Sequence, residues 1–270
     1  MTRPLQVLLV SLVFFAGSSH GFVTVKPLDI QRKTVEYKDG DTILEGVFVY
    51  NAAEKPDAKL PGVLVVHDWM GVGPFAIERA EKLAAMDCVA FVADIYGKGV
   101  RPANATEAGA LAGKYKKDRA LLRRRVTAAL DTLRQQPGCD PAQLAAIGYC
   151  FGGTTVLELA RSGAAVAGVV SFHGGLNSPT PADAKKIRCK VLVLHGADDP
   201  NVPPAEVAAF EQEMRGASVD WQLIAYGGAV HSFTNPRAGS DNAKGVAYNE
   251  KADRRSWQAL IAFLRELFPQ

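Results

Sequence analysis

The stretch Gly148-Tyr149-Cys150-Phe151-Gly152-Gly153 lies between an apolar run, Leu144 to Ile147, and a stretch with helical character. The pattern G-x-C-x-G between a strand and a helix is typical of a tight turn that presents a nucleophile, with cysteine where serine is more usual. Such a turn brings backbone segments close together, so side chains at Gly148 and Gly152 are expected to collide with them. The stretch therefore predicts a strand–turn–helix unit that carries a reactive sulfur on Cys150.

An ordinary buried cysteine is the alternative interpretation of Cys150, since free cysteine is among the residue types most often buried. The order of the downstream residues favours a catalytic role instead. A loop from Gly196 to Pro203 and then His231 follow Cys150, in the order nucleophile, acid and histidine. Asp198 and Asp199 both lie in that loop, and the order alone does not decide which of them is the acid.

From Pro61 onward, short apolar runs alternate with amphipathic helical stretches. This alternation predicts an α/β fold in which a mostly parallel central sheet has helices on both faces. Before it, strand-like runs at 34–37 and 44–50 flank Asp39-Gly40, which is typical of an antiparallel hairpin. No repeat or linker divides the chain, so residues 22–270 are predicted to form a single domain.

Polar and reactive residues follow the ends of several predicted strands. Ligands of parallel sheets bind beyond the carboxyl ends of the strands, so these residues are expected to surround one site. They are His67-Asp68-Trp69, Asp94-Ile95-Tyr96, Cys150, His173, His195 and the loop that carries His231.

Residues 1–21 have the features of a secretory signal peptide. Arg3 precedes an apolar run from Val7 to Ala16, and small residues follow at Ala16-Gly17-Ser18. The run is about half of the roughly 20 residues that a membrane-spanning helix needs, and an uncleaved anchor is the alternative. Cleavage predicts a secreted or periplasmic protein without a stable membrane anchor.

The charge balance argues against a nucleic-acid partner. The chain has 31 Lys and Arg residues against 28 Asp and Glu, a net charge of +3, and the two signs are interleaved. The basic cluster Arg123-Arg124-Arg125 lies among apolar residues at helical spacing, so it is interpreted as the solvated face of an amphipathic helix.

Five motifs, taken together and in order, resemble the dienelactone hydrolase (carboxymethylenebutenolidase) family of the α/β-hydrolase superfamily. They are His67 to Gly71, Asp94 to Gly97, Gly148 to Gly153, Gly196 to Pro203, and His231 to Phe233. The resemblance implies an α/β-hydrolase fold, a Cys-Asp-His triad, and hydrolysis of a small ester or lactone without cofactor or metal. The alternatives are a general carboxylesterase or thioesterase with the same triad, and a secreted binding protein whose triad is vestigial.

The resemblance also implies a role for individual residues. Cys150 matches the nucleophile and His231 the general base, while the family pattern Gly-x-x-Asp-x-x-Val-Pro selects Asp199 as the acid. A free thiol has a pKa of about 8.5, so a histidine is needed to take its proton at neutral pH. The backbone N–H groups of Phe151 and Trp69 are the implied oxyanion hole.

Other residues are expected to control the thiol or line the pocket. Asp68 stands where the family usually carries a glutamate that helps to control the thiol's protonation, and Asn235 stands where dienelactone-specific enzymes have an arginine for the substrate's carboxylate. Tyr96 and His173 are predicted near the pocket. Lys98 is a candidate cation for it, with an exposed loop lysine as the alternative.

No metal centre is predicted, because His67, His173 and His195 lack the close spacing of common zinc motifs. The predicted partner is a small-molecule ester or lactone, and the protein is expected to be a monomer or weak dimer.

Overall fold

The structure is a computed structural model, and it describes residues 28–55 and 57–269. The predicted signal peptide, residues 1–21, lies outside the described residues. Cleavage and export therefore stay predictions.

Eight strands form one sheet in the order β1-β2-β4-β3-β5-β6-β7-β8. The first two pairings, β1 with β2 and β2 with β4, are antiparallel, and the other pairings are parallel. This confirms the predicted mostly parallel sheet with an antiparallel hairpin at its start. The strands are Ile30–Asp39 (β1), Thr42–Asn51 (β2), Leu60–Val66 (β3), Val89–Ala93 (β4), Cys139–Tyr149 (β5), Gly168–Phe172 (β6), Lys190–Gly196 (β7) and Trp221–Tyr226 (β8).

Six α-helices cover the two faces of the sheet, which buries the central strands on both sides. One core cluster packs under α1 and α6, and the other packs under α2 to α5. The helices are Pro74–Ala84 (α1), Ala105–Lys117 (α2), Arg119–Arg134 (α3), Phe151–Arg161 (α4), Pro204–Gly216 (α5) and Glu250–Leu267 (α6). Among the described residues, no helix is long and apolar enough to span a membrane.

Strand β5 begins at Cys139, earlier than the predicted start at Leu144. Cys139 pairs with Leu60, and the register between β5 and β3 then shifts so that Leu144 pairs with Gly62. Residues 141–143 have no partner on β3 and interrupt the apolar pattern. The sequence therefore shows a continuous apolar run only from Leu144, and the early start of the strand was not predicted.

The interpretation of Arg123-Arg124-Arg125 as a solvated face is wrong for two of the three arginines. Only the side chain of Arg124 is largely exposed, at 60%. Arg125 is buried, with its Nε 3.2 Å from Asp39, and Arg123 donates from Nε to Glu158 over 2.9 Å. The cluster therefore anchors α3 to the hairpin and to α4 through ion pairs.

Candidate active site

The turn between β5 and α4 places Cys150 in a strained backbone conformation, with φ 54° and ψ −111°. Few residues other than glycine adopt a positive φ, and such strain persists only where the surroundings enforce it. A Cβ at Gly148 would lie 2.0 Å from the carbonyl oxygen of Gly152, and a Cβ at Gly152 would lie 2.2 Å from that of Val66. The two glycines thus have the role predicted for them, because only they allow this close approach.

Cys150, His231 and Asp199 form a continuous line of hydrogen bonds across three loops. The Nε2 atom of His231 lies 3.0 Å from the sulfur of Cys150, and its Nδ1 atom lies 2.8 Å from Oδ2 of Asp199. The Asp199 carboxylate is fully buried, whereas 13% of the His231 side chain is exposed. An ionised carboxylate only accepts, so Nδ1–H donates to Asp199 and Nε2 is left to exchange a proton with the sulfur.

The surroundings of His231 favour its protonated form. Burial lowers the pKa of His231, but negative charge on Cys150 and the hydrogen bond to Asp199 outweigh burial and raise the pKa to about 10. The imidazolium therefore predominates at neutral pH, and its positive charge stabilises a thiolate beside it. The positive end of the α4 dipole acts in the same direction. The arrangement can supply a thiolate–imidazolium pair, the reactive form of a cysteine nucleophile.

The two candidate acids in the loop after β7 have different environments. Asp199 accepts from His231 and, through Oδ1, from the backbone N–H of Asn201 over 2.8 Å. Asp198 is exposed and accepts from the backbone N–H of Gly228 over 3.0 Å. Only Asp199 contacts the histidine, which is the arrangement expected from the family pattern.

The two predicted oxyanion-hole groups lie on the loops that border Cys150. Among the described residues, neither the N–H of Phe151 nor that of Trp69 donates to a protein acceptor. The carbonyl of Trp69 accepts from the hydroxyl of Tyr96 over 3.0 Å, and Nδ1 of the buried His67 lies 2.5 Å from the carbonyl of Asp68. The loop after β3 is thus held through its carbonyl oxygens, which leaves the N–H of Trp69 open to a ligand.

Asp68 is partly buried beside the triad but does not reach the sulfur. Its Oδ1 accepts from the backbone N–H of Met70 over 2.8 Å, and among the described residues no hydrogen bond joins it to Cys150. Burial raises the pKa of Asp68, while the hydrogen bond from Met70 and the charge of His231 lower it. The carboxylate therefore acts on the site through its charge rather than through direct contact with the thiol.

Two of the predicted pocket residues do not border the cavity described next, because sequence position does not reveal the direction of a side chain. Lys98 points to the hairpin, where it pairs with Glu36 and with Glu45, the latter over 3.8 Å. His173 lies against Cys150 but is only 2% exposed, with Nδ1 3.2 Å from the backbone nitrogen of Cys150.

A cavity of about 370 Å³ opens between the loops after β3 and β8. Three of its apolar side chains, Trp69, Met70 and Val246, are more than a third exposed, which gives the cavity an apolar rim. Arg237 also lines it and forms a two-bond ion pair with Glu78. The other lining residues include Asp68, Gly71, Gly73, Phe75, Ser232 and Asn235.

Arg237 lines the cavity, although the sequence did not single it out. The family pattern draws attention to the position of Asn235, whereas the cation lies two residues further on, in a short 3₁₀ helix over Pro236–Ala238. The side chain of Asn235 caps that helix by accepting from the N–H of Arg237 over 3.0 Å. The sequence signal for a cation in the cavity was the presence of a basic residue, Arg237, in the turn after His231.

A family model described as the dienelactone hydrolase family matches residues 48–268. Among curated relatives, an uncharacterized protein of Caenorhabditis elegans is 38% identical over 152 residues, which are 54% of this chain and 94% of the relative. A probable 2-oxo-3-(5-oxofuran-2-ylidene)propanoate lactonase of Bradyrhizobium is 27% identical, over 86% of this chain and 94% of the relative.

Solved structures resemble the chain over most of its length. The structure of m3DLH is 41% identical with a TM-score of 0.84, and the match covers 88% of this chain and 99% of that one. A dienelactone hydrolase-like promiscuous phosphotriesterase from metagenomic libraries is 42% identical with a TM-score of 0.84, covering 88% of this chain and 98% of that one. Sequence and fold similarity therefore extend together across the described domain.

Proposed function

The chain belongs to the dienelactone hydrolase family of ester hydrolases, and we propose that it cleaves a small ester or lactone through an acyl-enzyme on Cys150. The observation that carries the proposal is the line of hydrogen bonds from Cys150 through His231 to Asp199. Each atom in that line has the donor or acceptor capacity that nucleophilic catalysis needs.

In the first half-reaction, the thiolate of Cys150 attacks the carbonyl carbon and a C–S bond forms. The electron pair of the carbonyl moves onto its oxygen, which lies in the oxyanion hole. The carbonyl then reforms as the C–O bond to the leaving group breaks, and the departing oxygen takes the proton from Nε2 of His231. The result is a thioester on Cys150 and, for a lactone, a product that stays attached through its ring chain.

In the second half-reaction, water gives a proton to Nε2 of His231 as its oxygen attacks the thioester carbon. The C–S bond breaks, the carboxylic acid leaves, and the thiolate–imidazolium pair is restored. Asp199 holds the imidazole orientation through both steps and stabilises its charge without taking the proton. His231 thus serves as acid first and as base second.

The N–H groups of Phe151 and Trp69 are the proposed donors to the oxyanion. Their lack of protein acceptors supports this role, since a donor already bonded within the fold cannot stabilise developing charge on a substrate. Removal of one such donor typically costs about 10² to 10³ in kcat.

The cavity lined by Ser232, the residue after His231, supports a small substrate with an apolar portion. Its volume of about 370 Å³ lies near the lower end of the usual range for small-molecule sites. Trp69, Met70 and Val246 offer apolar contact, while Arg237 supplies a cation that is already paired with Glu78. Because Arg237 is already paired with Glu78, its charge is balanced without a substrate carboxylate, which keeps simple esters and thioesters among the candidate substrates beside an acidic lactone.

Phosphotriester hydrolysis is a second candidate activity. It is favoured by the 42% identity to the dienelactone hydrolase-like promiscuous phosphotriesterase over 88% of this chain. The thiolate would attack phosphorus instead of carbon, and the same His231 proton would go to the departing oxygen.

The experiment compares the purified protein with Cys150→Ala on nitrophenyl esters, a lactone, a thioester and an aryl phosphotriester. The variant is expected to lose at least about 10³-fold in kcat/KM on every substrate that the protein turns over. Cys189→Ala, at a buried cysteine on the opposite edge of the sheet, is the matched control and is expected to retain the rate. Wild-type rates from Cys150→Ala would overturn the proposal, and lack of turnover together with an unreactive Cys150 would favour a binding protein.

A further inference from the structure

His173 occupies a strained position directly behind the nucleophile. It follows the last residue of β6 with φ 40°, a backbone conformation that non-glycine residues adopt only when their surroundings enforce it. Its side chain is buried, and its ring lies 5.4 Å from that of His231 and 5.1 Å from that of Phe233, both edge-on. The ring therefore lies between the turn from β5 to α4 that carries Cys150, here called the elbow, and the loop of His231.

Both ring nitrogens of His173 are engaged, and on different loops. Nδ1 lies 3.2 Å from the backbone nitrogen of Cys150, and Nε2 lies 2.8 Å from the hydroxyl oxygen of Thr234. The N–H of Cys150 is shared, since it also donates to the carbonyl of Phe172 over 3.0 Å. The N–H of Cys150 must donate, so Nδ1 accepts, and in a neutral ring Nε2–H then donates to Thr234. The imidazole thus joins the nucleophile's own backbone to a residue three positions after His231.

The neutral ring is the form that its surroundings favour. Burial lowers the pKa of His173 well below its usual range, and the positive charges of His231 and Arg79 lower it further. Protonation of Nδ1 would remove one of the two acceptors of the Cys150 N–H and place a second donor against it. A neutral imidazole at this position keeps the bridge intact while His231 carries the charge of the site.

Thr234 is well placed to pass this constraint to His231. Its carbonyl oxygen accepts from the guanidinium of the buried Arg79 over 2.5 Å, and Arg79 is in turn paired with Asp253 of α6 over 2.9 Å. The backbone of His231 is also held, by the N–H of Ala247. The ring of His173 therefore links this anchored loop to the backbone of Cys150, in addition to the contact between Cys150 and His231.

We propose that His173 is a positioning residue, a neutral imidazole that holds the sulfur of Cys150 at hydrogen-bonding distance from His231 by tying the elbow to Thr234. The proposal rests on the proposed function, because it assumes that the contact between Cys150 and His231 carries the reaction. The hydrogen bonds of His173 go to the backbone nitrogen of Cys150 and to the hydroxyl of Thr234, not to the sulfur. Its proposed role is therefore to set the distance between Cys150 and His231.

The test measures the rate of alkylation of Cys150 by iodoacetamide at neutral pH, well below the melting temperature, together with kcat and KM on an ester. Thr234→Val keeps the shape of the side chain and removes the hydroxyl, and we expect alkylation and kcat to fall about tenfold with KM little changed. Thr234→Ser keeps the hydroxyl and is expected to restore most of both rates. Thr132→Val, the same change at a partly buried position of α3 whose hydroxyl bonds within its own helix, is the matched control and is expected to behave as the wild type.

His173→Asn gives an independent route to the same answer, since asparagine tolerates positive φ and can accept from the N–H of Cys150 but cannot reach Thr234. It is expected to slow alkylation as much as Thr234→Val, and the double variant is expected to lose no more than either single variant because one bridge is broken in all three. Should Thr234→Val fail to fold, His173→Asn against the wild type decides the question.

Wild-type alkylation in Thr234→Val and His173→Asn would overturn the proposal, as would an equal loss in Thr234→Ser and Thr234→Val. A role in packing alone would lower the melting temperature of these variants without slowing alkylation of the folded protein. Alkylation does not require turnover, so failure of the proposed function, shown by an active Cys150→Ala, is distinguishable from failure of this bridge.

Discussion

The two ends of α4 differ in how their polar groups are treated. At the first residue, Phe151, the backbone N–H donates to no acceptor among the described residues, and Cys150 before it has a strained backbone. At the last residue, the buried guanidinium of Arg161 donates to Glu158 over 3.1 Å, to both carboxylate oxygens of Glu213, and to the carbonyl of Leu176. The N-terminal end of α4 therefore leaves a backbone N–H without a protein acceptor among the described residues, whereas the C-terminal end pairs its buried charges.

The difference between the two ends explains how the strained backbone of Cys150 can persist. Open donors and a positive φ cost free energy, and they survive only if the rest of the element is held firmly. The ion pairs of Glu158 and Arg161 fix the far end of α4 to α3 and α5 without contacting the site. Perturbing the two ends is therefore expected to affect different properties, activity at one end and stability at the other.

The largest expected effect comes from Asp199→Asn, at the active end. The asparagine can hold the wrong tautomer of His231 and cannot stabilise the imidazolium, so kcat/KM is expected to fall by about 10³ to 10⁴. The melting temperature is expected to change little. Steady-state kinetics and thermal unfolding measure the two properties.

The pH profile sharpens the Asp199 prediction. In the wild type, the imidazolium is lost as pH rises through the raised pKa of His231, about 10, so the alkaline limb of kcat/KM is expected there. Asp199 raises that pKa, so its removal moves the limb to lower pH. Asp198→Asn, at the exposed neighbouring residue, is the control and should leave the limb in place. An unchanged limb in Asp199→Asn would show that His231 is not the titrating group.

The next effect is expected at the anchored end of α4, from Arg161→Met. The substitution leaves the buried carboxylates of Glu158 and Glu213 without their shared partner, which typically costs about 3 to 5 kcal/mol of unfolding free energy. The kcat of the folded protein is expected to stay close to that of the wild type. Urea denaturation and the rate per folded molecule check the two halves.

Arg124→Met is the matched control for Arg161→Met, because the side chain of Arg124 is 60% exposed. It is expected to change the unfolding free energy by less than about 0.5 kcal/mol. A large loss of kcat in Arg161→Met without a loss of stability would break the division of roles between the two ends.

The smallest effect is expected from Asp68→Asn. Asparagine keeps the acceptor for the N–H of Met70 and removes a charge that acts on His231 without contacting the thiol. The alkaline limb is expected to move to lower pH by less than about one unit, in the same direction as in Asp199→Asn but by a smaller amount. A larger shift than that of Asp199→Asn would make Asp68 the principal partner of His231.

The sequence predicted the fold, and it named the three residues that the structure joins by hydrogen bonds, because both have signals in short stretches of sequence. Alternating runs of apolar and helical character determine the sheet, and the glycines around Cys150 specify a turn that few other structures require. The resemblance of the segment from Gly196 to Pro203 to the family pattern selected Asp199 over Asp198. In each case the signal lies in a short segment of sequence.

The misplaced residues depend on contacts between distant segments. Arg123 and Arg125 are charged residues on a helix, and nothing near them in sequence indicates their distant partners Glu158 and Asp39. Lys98 follows a strand that ends at the site, yet its side chain turns toward the hairpin. Arg237 reaches the cavity only because a 3₁₀ helix follows Asn235. Side-chain direction and long-range pairing decide these positions, and neither leaves a local signal.

The most direct test of the central claim is intact mass spectrometry of the protein quenched with acid during turnover of a nitrophenyl ester, followed by peptide mapping. An acyl-enzyme on Cys150 predicts a mass increase equal to the acyl group, located on the peptide that contains Cys150 and absent from Cys150→Ala. Steady turnover with no adduct on that peptide under conditions where deacylation is slow, or an adduct on another residue, would contradict it.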